Sequence, residues 1–199
     1  MMKAYILRHG QTDWNLRRLF QGQIDTDINE EGIRQANLCA QKVREAGLCF
    51  DQIWSSPIRR AMHTTQIVSG CRLEEIRQDP RLKEIDFGPL DETPFDVASP
   101  MVGTLFTDPE GYVPIPGVES YSSVISRVGA FFEDLKHCEA QSVLVGSHGG
   151  AIRAMLVYFG QLRLGDIWKQ QVGNCEIFEA TLGEDGTWSI TGGIEGIPG

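Results

Sequence analysis

The order of elements predicts an α/β domain, a three-layer α/β/α sandwich on a mostly parallel sheet. Short apolar runs such as Lys3–Leu7 and Gln141–Gly146 stop abruptly at polar, glycine-bearing turns, as strands do. Helix-start signals and apolar residues at helical spacing follow these runs. At 199 residues, 41% hydrophobic and 23% charged, the chain has the length of about one domain with a sizeable core. Neither a disordered chain nor a disulfide miniprotein has that make-up.

Lys3 to Leu7 reads as a strand opening at Arg8-His9-Gly10 into a loop that runs through Gln21-Gly22 to about Asn29. Asn29-Glu30-Glu31 starts a helix with Ile33, Ala36, Leu38, Ala40 and Val43, and Gly47 stops it. Gln52–Trp54 is a short strand, and Ser55-Ser56-Pro57 opens a helix from about Ile58 to Val68, closed by Gly70. Leu73 to Ile76 is expected as a further strand. Six prolines between Gly88 and Gly117 break any periodicity. The segment at about 88–118 is therefore expected to be a lid-like insertion within a single domain spanning 1–199. Ser120 caps an amphipathic helix to about Lys136, and a strand at Gln141–Gly146 leads to a helix at Ala151–Phe159. Asn174–Leu182 and Thr187–Thr191 fit two antiparallel strands joined at Gly183–Gly186, with a loose tail at Gly192–Gly199.

Eighteen Lys and Arg against 27 Asp and Glu give a net charge of −9, which argues against nucleic acid or an anionic membrane as partner. Any anion site must be a local concentration of cations. Cys39, Cys49, Cys71, Cys138 and Cys175 are odd in number and scattered, as expected of buried free thiols in a cytoplasmic protein. No signal peptide or membrane-spanning run is legible, no spacing suggests a metal site, and nothing sets the oligomeric state.

Two predicted strands end in histidine followed by glycine, at His9-Gly10 and His148-Gly149. Ligands of open α/β sheets collect beyond the carboxyl ends of the strands, so these two histidines can face one another. Arg8 adjoins the first, and Arg59-Arg60 open a helix, where the dipole adds positive character. Guanidinium forks match phosphate oxygens. Paired imidazoles and guanidiniums in an acidic protein point to a phosphate pocket. One of Arg59 and Arg60 is expected on a solvated face, His63 and His137 match no pattern, and Asp13 and Trp14 fit a structural part in the loop as well as a substrate contact.

Leu7-Arg8-His9-Gly10-Gln11-Thr12-Asp13-Trp14-Asn15 resembles the R-H-G-x-T-x-x-N signature of the histidine phosphatase superfamily, which includes the phosphoglycerate mutases. Phe20-Gln21-Gly22 with Asp25, Ser56-Pro57-Ile58-Arg59-Arg60-Ala61 with Thr64, Leu82–Gly88 and Ser147-His148-Gly149-Gly150 resemble later pieces in the family's order. Two stretches depart from it: Gly88–Thr93 stands where many members have G-x-W-E-G, and Asp25–Ile28 lacks the commoner proline-leucine. The resemblance implies a phosphomonoesterase acting on a small-molecule phosphate ester, without metal or cofactor. His9 would be the nucleophile and form a phosphohistidine. Arg8, Arg60 and His148 would hold the phosphoryl oxygens, and Glu84 would act as general acid and then base. Asn15, Gln21, Gly22 and Gly149 would line the substrate site.

A phosphoglycerate mutase-type transferase shares such a site, although this chain is short for the cofactor-dependent mutases. A non-catalytic phospho-ligand-binding module would have no need of His9, Arg60, Glu84 and His148 together. A serine esterase lacks its G-x-S-x-G elbow. The lid adds an expectation about the leaving group. No Lys or Arg occurs between Lys83 and Arg127, while Phe95, Met101, Val102, Leu105, Phe106 and Tyr112 offer apolar contacts. Arg17 and Arg18 of the early loop are the alternative cations for a second phosphate; the lid itself favours a neutral or partly apolar leaving group over a bisphosphate or a phosphoglycerate.

Overall fold

The computed structural model describes residues 1–95, 102–196 and 198. Its apolar runs become β1 (Lys3–Arg8), β2 (Gln52–Ser55), β3 (Arg77–Gln78), β4 (Ser142–Ser147), β5 (Ile177–Leu182) and β6 (Trp188–Ile194). They form one six-stranded sheet in the order β3-β2-β4-β1-β5-β6. The first four strands in that order are parallel to one another, and β5 and β6 run antiparallel at one edge.

The helices are α1 (Asp13–Leu16), α2 (Glu30–Glu45), α3 (Arg59–Ser69), α4 (Tyr121–Leu135) and α5 (Gly149–Tyr158). The alternation of strand side chains sorts them into layers. Ala4 and Ile6 of β1 and Val143 and Val145 of β4 face a core shared with Val124, Val128, Phe131, Ile152 and Met155 of α4 and α5. Tyr5, Leu7 and Leu144 face the opposite core, with Ala36, Cys39, Val43 and Val68 of α2 and α3. This is the expected three-layer sandwich. The helix ends are those the sequence marks: Asn29 and Ser120 accept backbone N–H groups of Gly32 and Ser123, and Gly70 closes α3 in the left-handed region at φ 70°.

Two expectations about the elements fail. Leu73–Glu75 is a single 3₁₀ turn, and the strand is the two-residue β3 that follows. The reason lies in burial, since Leu73 stays 48% exposed while Ile76 is 5% exposed. The tail is not loose from Gly192, because β6 runs to Ile194 with Gly192 and Gly193 opposite Glu179 and Phe178. That pairing uses backbone alone, which a side-chain pattern does not reveal. The thiols are all free, but only Cys39 and Cys175 are buried, Cys49 is exposed, and Cys71 and Cys138 are half-buried.

Within 88–118, residues 96–101 lie outside the described residues, Met101 among them. Val102 and Leu105 are buried in the α4/α5 core rather than offered to a ligand, and Tyr112 packs against that core. Among the described residues no helix is long and apolar enough to cross a membrane.

Candidate active site

Parallel pairing builds the centre of the site. Arg8 at the end of β1 stands opposite Ser147 at the end of β4, and His9 N–H donates to the Ser147 carbonyl at 3.1 Å. The next residue of each chain segment is therefore a histidine, and the rings of His9 and His148 lie 5.3 Å apart. Ser56 arrives beside them from the end of β2, its N–H bonded to Gly146 of β4. Three neighbouring strands thus deliver polar side chains to one point beyond their carboxyl ends.

His9 is 3% exposed, and its Nδ1 lies 2.7 Å from the Gly10 carbonyl. A carbonyl only accepts, so Nδ1 carries the proton and Nε2 keeps its lone pair. Burial, then Arg60 and Arg8, hold this imidazole well below its ordinary pKa. Asn174 fixes the His9 carbonyl from behind at 2.9 Å. His148 is also held low, by burial first and then by Arg60. Its Nε2 is 2.8 Å from Ser56 Oγ, which accepts the Ile58 N–H at 3.3 Å. Ser56 can then give its own proton to Nε2, which leaves the His148 proton on Nδ1.

Arg60 lies at the start of α3 with no exposed surface, and burial lowers its pKa to about 10. Its Nη1 and Nη2 donate to the Ile24 and Gly22 carbonyls at 2.7 Å each, so neutral groups orient it. Gly22 sits at φ 45°, and a Cβ there would overlap the Asp91 carboxylate. The loop that presents its carbonyl to Arg60 needs glycine there. Burial and then Asp86 raise the Asp91 pKa to about 6. Arg59 points the other way, 61% exposed and paired with Asp25.

Among the described residues, the buried side-chain polar atoms without a partner are Arg8 Nε, Arg60 Nε, His148 Nδ1 and Asp91 Oδ1. The three nitrogens are donors on residues around His9. Buried donors are rarely left unmade, so each of the three is a feature in need of an acceptor.

Glu84 is held by the start of α5. Its Oε1 accepts from Ile85 and Ala151 N–H at 2.9 Å each, and its Oε2 from Gly150 N–H at 3.1 Å. A Cβ on Gly150 would lie 2.6 Å from Glu84 Oε1, so only glycine lets the carboxylate this close. Arg127 of α4 secures the same segment with three of its N–H groups and pairs the other two with Glu119. Nη1 donates to the Arg81 and Lys83 carbonyls, Nη2 to Glu84 O and Glu119 Oε2, and Nε to Glu119 Oε1.

These groups open into a cavity of about 490 Å³ lined by Arg8, His9, Asn15, Gln21, Gly22, Arg60, Glu84 and Gly149. Asn15 Oδ1 accepts from Thr12, and Gln21 Oε1 from Thr12 and Thr26, which leaves both NH₂ groups to the cavity. His63 does not reach it and pairs with Asp27, while His137 is an exposed surface residue. Of the lid residues, Phe95 and Phe106 line the cavity.

Sequence reading missed Arg153, Arg127, Trp168 and the part played by Ser56. Arg153 lines the cavity, donating to Gln170 O and Gly149 O at 2.9 Å, while burial brings its pKa to about 10. A signal existed for it: Arg153 is the lone charge in the otherwise apolar run Ala151–Val157, one turn after His148-Gly149. Arg127 lies 43 positions from Glu84, and nothing local links them.

Solved structures share this architecture. A mutant of phosphoserine phosphatase from Entamoeba histolytica, bound to phosphoserine, superposes with a TM-score of 0.85 at 28% identity, over 97% of this chain and 96% of the other. Mycobacterial glucosyl-3-phosphoglycerate phosphatase with VO3 gives 0.81 at 26% identity, over 96% and 98%. In sequence, 2,3-bisphosphoglycerate-dependent phosphoglycerate mutase of Nitrobacter hamburgensis is 32% identical over 180 residues, 84% of this chain and 85% of its own. The profile of the histidine phosphatase superfamily (branch 1) matches residues 4–192. Nearly the whole chain is covered by that match, and the protein belongs to this superfamily as a phosphatase of the histidine type.

Proposed function

We propose that the protein hydrolyses a small-molecule phosphate monoester through a phosphohistidine on His9. The observation that carries this reading is the set of unpartnered buried donors, Arg8 Nε, Arg60 Nε and His148 Nδ1, around an imidazole whose Nε2 lone pair is free. Phosphoryl oxygens are acceptors of the right charge for that set. Nε2 of His9 attacks phosphorus in line with the departing alkoxide, and the guanidiniums meet the charge on the equatorial oxygens. Glu84 passes a proton to the leaving oxygen, and the alcohol departs. The same carboxylate then takes a proton from water as its oxygen attacks phosphorus, and the N–P bond breaks to give inorganic phosphate and free His9. Asn15 and Gln21 donate to the phosphoryl group, and Gly22 and Gly149 keep the approach open. No step calls for a metal ion.

The segment at about 88–118 serves as the lid of a single domain in this reading. The protein works in the cytoplasm, in keeping with its five free cysteines, and neither nucleic acid nor membrane is its partner. Rapid quenching during turnover of a ³²P-labelled ester is expected to trap label on His9 as an acid-labile, base-stable adduct. His9→Ala is expected to lose turnover at least 1,000-fold while remaining folded. Label on a serine or aspartate would overturn the mechanism. The mutase relative gives a second reading, in which phosphate returns to an organic acceptor. Assaying 3-phosphoglycerate with 2,3-bisphosphoglycerate for transfer and release together separates the two.

A further inference from the structure

The cavity has two unlike halves. Its floor is the cationic, donor-rich set around His9, and its outer wall is aromatic, made by Phe20, Phe87, Phe95, Phe106 and Trp168 with Leu19 at the rim. The rings touch in series: Phe20 to Phe95 at 5.0 Å, Phe95 to Phe106 at 4.5 Å, and Phe106 to Trp168 at 4.7 Å between centroids. Phe20 and Phe87 are buried by this packing, but Phe95 keeps 44% of its surface exposed. Apolar surface left against water beside a binding cavity gains free energy when a ligand covers it.

The wall is fixed before any ligand arrives. Behind it, Trp168 Nε1 donates to the Leu105 carbonyl at 3.0 Å, and the Arg153 guanidinium sits 5.4 Å from the Trp168 ring centroid. In front, two segments are zipped by Phe20 N–H to Thr93 O, Glu92 N–H to Phe20 O and Phe95 N–H to Arg18 O, at 3.0, 3.0 and 2.7 Å. A preformed apolar surface binds without the cost of ordering itself.

Its place relative to Glu84 decides what meets it. Glu84 and Phe87 share one short segment, and Phe87 packs on Phe20 at 4.9 Å. With phosphate on the floor and the bridging oxygen at Glu84, the carbon chain beyond that oxygen runs toward the rings. The segment between Lys83 and Arg127 holds no cation for a second phosphate. Lys169 at the rim is already paired with Asp166 at 2.7 Å.

We infer that the preferred substrates are monophosphate esters of alcohols carrying an aromatic or similarly flat apolar group, which lies on Phe95, Phe106 and Trp168. This deepens the phosphatase reading and rests on it. The test compares kcat/KM for 2-phenylethyl phosphate, ethyl phosphate, phosphoserine and 3-phosphoglycerate. All four release an alkoxide, so differences report recognition of the leaving group. The phenylethyl ester is expected to exceed each of the others at least tenfold. Phe106→Ala is expected to bring its ratio to ethyl phosphate down about tenfold, and Phe106→Leu less. Phe95→Ala, at an exposed ring, gives the same readout if Phe106→Ala fails to fold. A wild-type ratio near one, or an unchanged ratio in the folded variants, overturns the inference while phosphate release upholds the phosphatase reading. A tenfold preference for phosphoserine or 3-phosphoglycerate, removed by Arg153→Met, also overturns it and makes Arg153 the reader of a carboxylate. Release from none of the esters, with no adduct on His9, defeats both readings.

Discussion

His9 and His148 are neutral for the same physical reason. Each is enclosed, and Arg60 and Arg8 both act on each, so adding a proton costs desolvation and repulsion together. The consequence for stability has a definite sign. An unfolded histidine takes up its proton near pH 6.5, and the folded ones only well below that. Between those limits the unfolded chain binds more protons, so the contribution is complete above pH 6.5 and is lost as the pH falls. Each histidine is expected to contribute a slope of about 1.4 kcal/mol per pH unit in that window. Chemical denaturation between pH 7.5 and 5 measures it, and His148→Gln is expected to remove one histidine's share. Equal slopes in the two proteins would mean that His148 protonates in place. The residues of this floor were legible because each sits inside a short local pattern of the chain. Arg153 and Arg127 were not, because a guanidinium on a helix reads as solvated until the fold shows what it faces.

Helix α4 braces the Glu84 segment without touching the cavity. Arg127 pairs with Glu119 and spans three carbonyls of Arg81–Glu84, so the helix sets where the Glu84 carboxyl stands. Arg127→Met keeps the stem of the side chain and removes these bonds. Its expected effect is a loss of about tenfold or more in kcat for alkyl phosphates, whose oxygen needs a proton to leave. The first burst with p-nitrophenyl phosphate should change less than threefold, because nitrophenolate leaves unaided. Equal losses on both esters would assign Arg127 a purely structural part. Helix limits were readable to within a residue or two from Asn29, Gly70 and Ser120, since caps are local chemistry. The stretch Leu73–Ile76 was not, because its apolar residues suggest a strand while its exposure and the Arg72–Glu75 contacts make a turn.

At the scale of the molecule, a chain with net charge −9 gathers Arg8, Arg60 and Arg153 at one cavity. On the proposed reading, those guanidiniums carry the positive charge that phosphoryl transfer demands. Phosphatase activity is therefore expected to be unchanged by EDTA and not raised by Mg²⁺, as a phosphate-release assay after chelation and dialysis measures. Activity lost on chelation and restored by Mg²⁺ would contradict this. The sandwich itself was legible from the alternation of elements, and with it the meeting of His9 and His148. The aromatic wall was legible only in part. Phe95 and Phe106 stand out in the lid, but Trp168 joins them from a loop about 60 positions further on, a contact that only the closed fold creates.

The zipper between residues 18–20 and 92–95 has a further consequence. Its bonds are all between backbone atoms, so they hold whatever side chains the two segments carry. The groups proposed to handle phosphorus hang instead from strand ends and from the starts of α3 and α5. On the proposed reading, chemistry and taste are thus separate inheritances in this molecule: the side chains at positions 19 and 95, which keep exposed surface, can be exchanged to suit a new alcohol while the histidine and its arginines stay where they are.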